Sequence, residues 1–204
     1  MKNLSKLDEI QEIESDIYKL VQRLEALHKL SKPEPIKNYQ FNTLHGSTSL
    51  LDLFAGKKQL FAIHNMGQGC RYCTLWADGL NGFLPHLEER FAVVLLSKDE
   101  PDVQRIFANS RQWRFNMASH CGGDYIREQS VLPGEKNSPG IVCYELHGDE
   151  IYRKNASVFG PGDQFCSIWH LLSLAGLSPD EWTPQYNYWR RPAKLNDGGE
   201  NLKD

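Results

Sequence analysis

Two runs of apolar residues stand in the middle of the chain: Gln59-Leu60-Phe61-Ala62-Ile63-His64 and Phe91-Ala92-Val93-Val94-Leu95-Leu96. A strand with one wet face alternates apolar and polar residues, whereas these runs have no polar face, so each must be a strand covered on both sides. Between them, Leu75, Trp76, Leu80, Phe83, Leu84 and Leu87 recur at helical spacing. The whole reads as a strand–helix–strand unit of a mainly parallel sheet. Gly79, Gly82 and Pro85 interrupt the helical pattern and are expected to kink or break that helix. A second helix is expected over residues 101–112, with Val103, Ile106 and Phe107 turned inward. Ile141-Val142-Cys143-Tyr144-Glu145-Leu146 then reads as a strand, His147-Gly148-Asp149 as a turn and Glu150-Ile151-Tyr152-Arg153 as the returning strand of a β-hairpin. A last helix is expected to start at Asp163 as N-cap, bury Phe165, Ile168, Trp169, Leu172 and Ala175, and stop at Gly176.

Ahead of the strand pattern lies a different kind of segment. Ile10, Ile13, Ile17, Leu20, Leu24 and Leu27 follow one another at alternating steps of three and four, with Glu, Gln and Lys between them. This predicts an N-terminal amphipathic helix with one narrow apolar seam, to pack on its own domain or pair with a copy of itself. Ser31-Lys32-Pro33-Glu34-Pro35 ends it, because proline lacks the amide donor and forces extended geometry on its predecessor. The expected organisation is therefore a helix over residues 1–32, a linker over 33–38, an α/β domain over 39–190 and a polar, glycine-paired tail over 191–204. The aromatic stretch from Trp182 to Trp189 is expected to pack on the domain.

Composition narrows the function. Hydrophobic content of 40% and charged content of 24% are those of an ordinary globular chain. A net charge of -3 gives no electrostatic reason to expect nucleic acid or an anionic membrane as a partner. Residues 1–38 carry seven Lys and Arg against seven Asp and Glu, which argues against a basic membrane-surface helix. No apolar run approaches the ~18–20 residues of a membrane span, and the N-terminus has no apolar signal core, so the protein is expected to be cytoplasmic.

Five cysteines, odd in number, do not make a disulfide scaffold in a chain this long. Cys70-Arg71-Tyr72-Cys73, however, is a C-x-x-C at the start of a predicted helix. The positive end of the helix dipole, with Arg71 beside it, favours the Cys70 thiolate, which is the nucleophilic form. Cys73, one turn on along the same face, is close enough to close a disulfide with Cys70 and resolve a mixed disulfide. The competing readings are a pair of buried structural thiols or half of a zinc site. Zinc would need two more ligands, and Cys121, Cys143 and Cys166 form no second C-x-x-C, while His120-Cys121 lacks ligand spacing. No metal and no cofactor are therefore expected. Cys143 and Cys166 fall on core faces as small hydrophobes, and Cys121, in a glycine-containing loop, stands as a candidate third thiol. His64, six residues before Cys70 at a strand end, is a candidate proton acceptor beside the sulfur, against the ordinary reading of a histidine bonded to nearby backbone. Trp76 suits the core better than a cofactor stack, and no glycine-rich loop suits a nucleotide.

These residues also carry a resemblance. The order of strand, C-x-x-C helix start, second buried strand, Pro139, hairpin and last helix resembles the thioredoxin fold, and residues 47–63 and 93–125 look like its peroxiredoxin-type elaboration. More closely, His64-Asn65-Met66-Gly67, the stretch Gly69-Cys70-Arg71-Tyr72-Cys73-Thr74-Leu75-Trp76-Ala77-Asp78-Gly79 and Phe159-Gly160-Pro161-Gly162-Asp163 resemble the thioredoxin-like family labelled domain of unknown function 899. The similarity spans residues 39–188 and leaves the N-terminal helix outside it. It implies a three-layer α/β/α fold around a mixed central sheet. In such folds a cis-proline precedes the hairpin strand and faces the cysteine pair, and Ser138-Pro139-Gly140 is the stretch placed to do so. Two departures bear on activity. No proline lies between His64 and Cys70, and Gly67 stands three before Cys70, where a peroxiredoxin would place proline and threonine ahead of its reactive cysteine. Arg71-Tyr72 stands where thioredoxin has Gly-Pro.

The function expected is a thiol–disulfide oxidoreductase in which Cys70 attacks and Cys73 resolves, acting on a protein or small-molecule thiol or disulfide. Pro139, His64, Arg71, Tyr72 and Trp76 are the expected supporting residues, and a homodimer through residues 10–27 is expected. The alternatives are a thiol peroxidase using Cys70 and a non-catalytic thioredoxin-like binding module.

Overall fold

The computed structural model describes residues 5–185. The chain divides into two units, residues 1–33 and 34–204. In the first, helix α1 runs over Lys6–Leu30 and is closed at its start by a capping box, in which Ser5 and Asp8 each accept the other's backbone N–H. None of its residues is buried.

The second unit is one eight-stranded sheet with helices on its faces. The strands, in chain order, are β1 (Glu34–Ile36), β2 (Gln40–Thr43), β3 (Gly46–Ser49), β4 (Gln59–His64), β5 (Ala92–Ser97), β6 (Asn116–Ser119), β7 (Gly140–His147) and β8 (Glu150–Val158). Their spatial order is β1-β8-β7-β4-β5-β6-β2-β3. Strands β4, β5 and β6 are parallel and every other pairing is antiparallel, so the sheet is mixed. As the unbroken apolar runs require, β4 and β5 are central and face a core on each side. Leu60, Ala62, Val94 and Leu96 join one core with Tyr39, Phe41, Leu50, Phe54, Tyr125 and Tyr144. Ile63, Val93 and Leu95 join the other with Trp76, Leu84, Ala108, Trp113 and Trp169.

Helix α2 (Arg71–Glu88) connects β4 to β5, and α3 (Pro101–Arg111) connects β5 to β6. The expected break in α2 does not occur. Pro85 removes one intrahelical bond, but Trp76, Ala77, Leu80 and Leu84 are buried along the inner face, and that packing outweighs the lost bond. In helix α3, Phe107 packs partly buried on the second core as expected, but Ile106 is 71% exposed and the buried residues are Gln104 and Ala108. Gln104 turns inward because its amide donates to the Ser97 hydroxyl and the Ala118 carbonyl. A short helix α4 (Asp124–Glu128) places Tyr125 and Ile126 in the first core.

The hairpin forms as expected, with His147 paired to Glu150 across Gly148, whose φ of 67° suits a residue without a Cβ. The last helix, α5 (Ile168–Leu174), is shorter than expected. Asp163 caps a separate turn instead, accepting from the backbone N–H groups of Phe165 and Cys166. Of the residues expected to be buried there, Trp169 is, while Phe165 and Ala175 are exposed. Glu34–Ile36, in the stretch read as a linker, instead forms an edge strand against Ile151–Arg153. Pro35 is tolerated there because an edge strand has one unpaired side. Trp182 packs edge-on against Trp169 at 6.0 Å. Tyr186, Tyr188, Trp189 and the tail over residues 191–204 lie outside the described residues.

Candidate active site

The residues between β4 and Cys70 are tied down from several directions. The Asn65 N–H donates to the Leu96 carbonyl at 2.8 Å, extending the β4–β5 ladder by one step. Its side-chain oxygen accepts the Gly67 N–H at 2.8 Å, and its amide donates to the Cys73 carbonyl at 3.4 Å. Gly67 has a φ of 111°, a conformation open to glycine, and a Cβ there would lie 2.8 Å from Asp99 Oδ1. That close approach lets Asp99 Oδ2 accept the Gln68 N–H at 2.6 Å. From the other side, Asn137 Nδ2 donates to the Met66 carbonyl at 3.4 Å.

Held this way, the loop delivers Cys70 as the N-cap of α2. Its backbone is extended, and its Sγ accepts the Cys73 N–H at 3.1 Å, as a serine or aspartate oxygen would in an ordinary cap. Cys73 Sγ accepts the Met66 N–H at 3.4 Å. Each sulfur therefore faces a backbone donor, an arrangement that favours negative charge on sulfur. Both thiols are also buried, Cys70 at 6% exposure and Cys73 at 3%. The burial of Cys70 departs from the picture of an attacking thiol open to solvent.

The other expected site residues divide into those beside the pair and those turned away. Arg71 is buried, and its guanidinium lies 5.7 Å from the Tyr72 ring centre. Tyr72 stacks on Trp169 at 6.4 Å and lies 6.2 Å from Trp76, which is buried and stacks on Phe159 at 5.4 Å. This aromatic layer braces the first turns of α2, so Trp76 is core. Pro139 immediately precedes β7, whose Gly140 pairs with His64 at the end of β4. It therefore sits at the same sheet edge as the cysteine loop, with its carbonyl accepting the Phe159 N–H at 3.0 Å. Its peptide bond is not cis, since no described peptide bond is, and the expectation of a cis-proline is corrected. The trans form is favoured by about 0.5–1 kcal/mol, and the chain turns instead at Asn137, in a left-handed conformation with φ 70°.

His64 is the second correction. Successive residues of a strand point to opposite faces. Ile63 faces the core that holds α2, so His64 faces the other, where its Nε2 lies 2.8 Å from the Tyr125 hydroxyl. From there a hydrogen-bonded chain runs through Tyr144 and Gln129 to Tyr39 and Glu128. Burial, with His120 and Arg153 nearby, pushes the His64 pKa down to about 3, so the ring is neutral. Its ring serves this buried tyrosine network rather than a cysteine sulfur.

Asn65, Asp99 and Asn137 join the site through hydrogen bonds to the loop that its sequence does not name. Of the remaining cysteines, burial pushes Cys143 up to about 11 and raises Cys166, as suits packing thiols. Cys121 is exposed and lies 3.2 Å from the Ser119 hydroxyl. Among the described residues no three His, Cys, Asp or Glu side chains converge on a point that could hold a metal ion. Nor is any described helix long and apolar enough to cross a membrane. A cleft of about 500 Å³ lined by Lys57, Arg90 and His147 opens at the opposite sheet edge, where β4 begins.

Comparison with known proteins places this architecture. Solved structures with the same fold include AhpC of Enterococcus faecalis (13% identity, 71% of this chain and 91% of that one, TM-score 0.53). The peroxidoxin BcpB of Mycobacterium tuberculosis (15%, 63% and 85%, TM-score 0.51) is another. A thiol:disulfide interchange protein from Bacteroides sp. matches with 15% identity over 70% and 91% of the two chains, TM-score 0.51. The fold is thioredoxin-like, as the resemblance implied. No functionally curated protein matches the sequence. The profile of a family described as "Bacterial protein of unknown function (DUF899)" matches residues 12–194, and so takes in most of α1, which the resemblance had left outside.

Proposed function

The chain belongs to the DUF899 family of bacterial proteins, and from that premise we propose that it is a thiol–disulfide oxidoreductase working through the Cys70–Cys73 dithiol. The observation that carries this reading is the 3.1 Å hydrogen bond from the Cys73 N–H to Cys70 Sγ at the start of α2. It supports a thiolate at Cys70 and keeps the second thiol one turn away. In the forward step the Cys70 thiolate attacks one sulfur of a substrate disulfide. The substrate S–S bond breaks, a mixed disulfide forms, and the leaving thiolate takes a proton from solvent. The Cys73 thiol then gives up its proton and attacks Cys70 Sγ, releasing the second substrate thiolate, which is protonated in turn. The substrate gains two electrons and two protons; the protein is left with a Cys70–Cys73 disulfide.

Tyr72 and Pro139, half-buried at this end of the sheet, are the residues a substrate would meet first, with the buried Arg71 and Trp76 supporting the start of the helix behind them. With Cys70 at 6% exposure, a disulfide reaches it when residues 65–69 move aside, which makes loop opening part of the cycle. The substrate is a protein or small-molecule disulfide. The compartment is the reducing cytoplasm, where a dithiol is returned to its reduced state. The assembly is a homodimer through residues 10–27.

The test is Cys73→Ser in the full chain, incubated with oxidised glutathione and read by intact mass. A stable glutathione adduct mapped to Cys70, with wild type instead losing two hydrogens, is the expected result. A pair that stays reduced in the wild-type protein would leave a binding module. Rapid single-turnover oxidation of Cys70 by hydrogen peroxide, with no adduct from the disulfide, would reassign the protein as a thiol peroxidase.

A further inference from the structure

Helix α1 is 25 residues long and buries nothing, yet it carries an unbroken apolar seam. Ile10, Ile13, Ile17, Leu20, Leu24 and Leu27 are between 40% and 62% exposed, and Leu7 and Val21 widen the stripe at 64% and 39%. Helical stability in proteins comes chiefly from packing such a face, so the seam requires a partner. In heptad terms Ile10, Ile17 and Leu24 occupy a, and Ile13, Leu20 and Leu27 occupy d. Every isoleucine precedes every leucine.

We propose that α1 pairs with α1 of a second copy of this chain in antiparallel orientation. The proposal rests on the homodimer reading above and adds its direction. Running antiparallel about a two-fold axis between residues 18 and 19, the helices form the layers Ile10–Leu27, Ile13–Leu24 and Ile17–Leu20, each made twice. Every layer then sets one β-branched side chain against one leucine, giving uniform volume along the seam. A parallel pair would instead stack Ile13 on its own copy at a d position, where β-branched residues disfavour two strands.

The charges agree. In the antiparallel register, g positions flank g positions, which brings Asp16 beside Arg23 of the other copy twice by symmetry, while Glu14 lies beside Val21. In a parallel register, g meets the following e, which sets Glu9 against Glu14 of the other copy twice. One direction gains two attractions and the other two repulsions. An isologous contact of this kind closes at two copies and leaves no open face to extend into a filament.

Sedimentation of the full-length protein tests this under reducing conditions, which keep the five thiols from cross-linking. A dimer of the 23.4 kDa chain is expected. It should be lost in Ile17→Asp and in Leu20→Asp, with the near-ultraviolet spectrum and thermal unfolding of the α/β domain unchanged. Arg23→Glu should loosen it about tenfold by turning both Asp16 pairs repulsive, and Asp16→Arg combined with Arg23→Glu should restore it. Glu14→Lys should leave the affinity unchanged. A monomer at all concentrations overturns both the homodimer reading and this one, as does a dimer indifferent to both seam variants. A dimer that Glu14→Lys tightens and Arg23→Glu does not weaken keeps the homodimer and overturns the antiparallel direction.

Discussion

Replacing Gly67 by alanine strikes the cysteine loop at its tightest point. The backbone φ of 111° is one that a side chain makes costly by about 1–3 kcal/mol. The new Cβ would also lie 2.8 and 2.9 Å from the two Asp99 carboxylate oxygens, so Asp99 must swing away. Its charge-assisted bond to the Gln68 N–H then breaks, at a cost of about 1.5–3 kcal/mol. Together the closed loop loses about 2.5–6 kcal/mol relative to its open form. If alkylation proceeds from the open form, about 3 kcal/mol corresponds to roughly a hundredfold faster reaction at Cys70. Iodoacetamide labelling followed by peptide mass mapping reads this directly, and urea unfolding separates it from global destabilisation. Asp99→Ala gives the second edge of a double-mutant cycle. It loses the same hydrogen bond without the clash, so the double variant should fall short of additivity by about 1.5–3 kcal/mol. Labelling of Gly67→Ala at the wild-type rate, or strict additivity, would refute the account of how the site is held.

Two further perturbations test the packing around the site. His64 is neutral in the fold, with its pKa pushed down to about 3, while an unfolded histidine takes up a proton near pH 6.5. The unfolded state therefore binds the extra proton as pH falls below 6.5, and stability declines in that direction. At pH 5 the loss relative to pH 8 is about 2 kcal/mol, a value set almost entirely by the unfolded pKa. Urea titrations of wild type and His64→Gln should differ by that amount in their pH dependence, and parallel curves would contradict the buried neutral ring. Asp78 accepts from Arg111 Nε at 2.9 Å and Trp113 Nε1 at 2.7 Å, with Arg111 Nη2 on its other oxygen. Asp78→Ala orphans these donors between α2 and α3 and should cost about 2–3 kcal/mol in chemical denaturation; a change under about 0.5 kcal/mol would show that water replaces the carboxylate freely.

Local pattern sufficed for the parts of this protein whose information is local. The unbroken runs over residues 59–64 and 91–96 could only be strands covered twice, and they form β4 and β5 at the centre of the sheet. The turn at Gly148 and the cysteine at the start of α2 were equally legible, because turn chemistry and helix starts are set by a few adjacent residues. Tertiary structure decided what depends on a partner far along the chain. Pro85 sits inside α2 because packing on the sheet outweighs one lost hydrogen bond, a balance no propensity contains. Asp99 and Asn137 reach the cysteine loop from 31 and 71 residues away, so nothing in the loop's own sequence names them. His64 shows the divide most plainly. Its nearness to Cys70 in sequence suggested a base for the sulfur, but a strand sends neighbouring side chains to opposite faces. Which face received α2 was settled by the assembled sheet, and that turned the imidazole toward Tyr125.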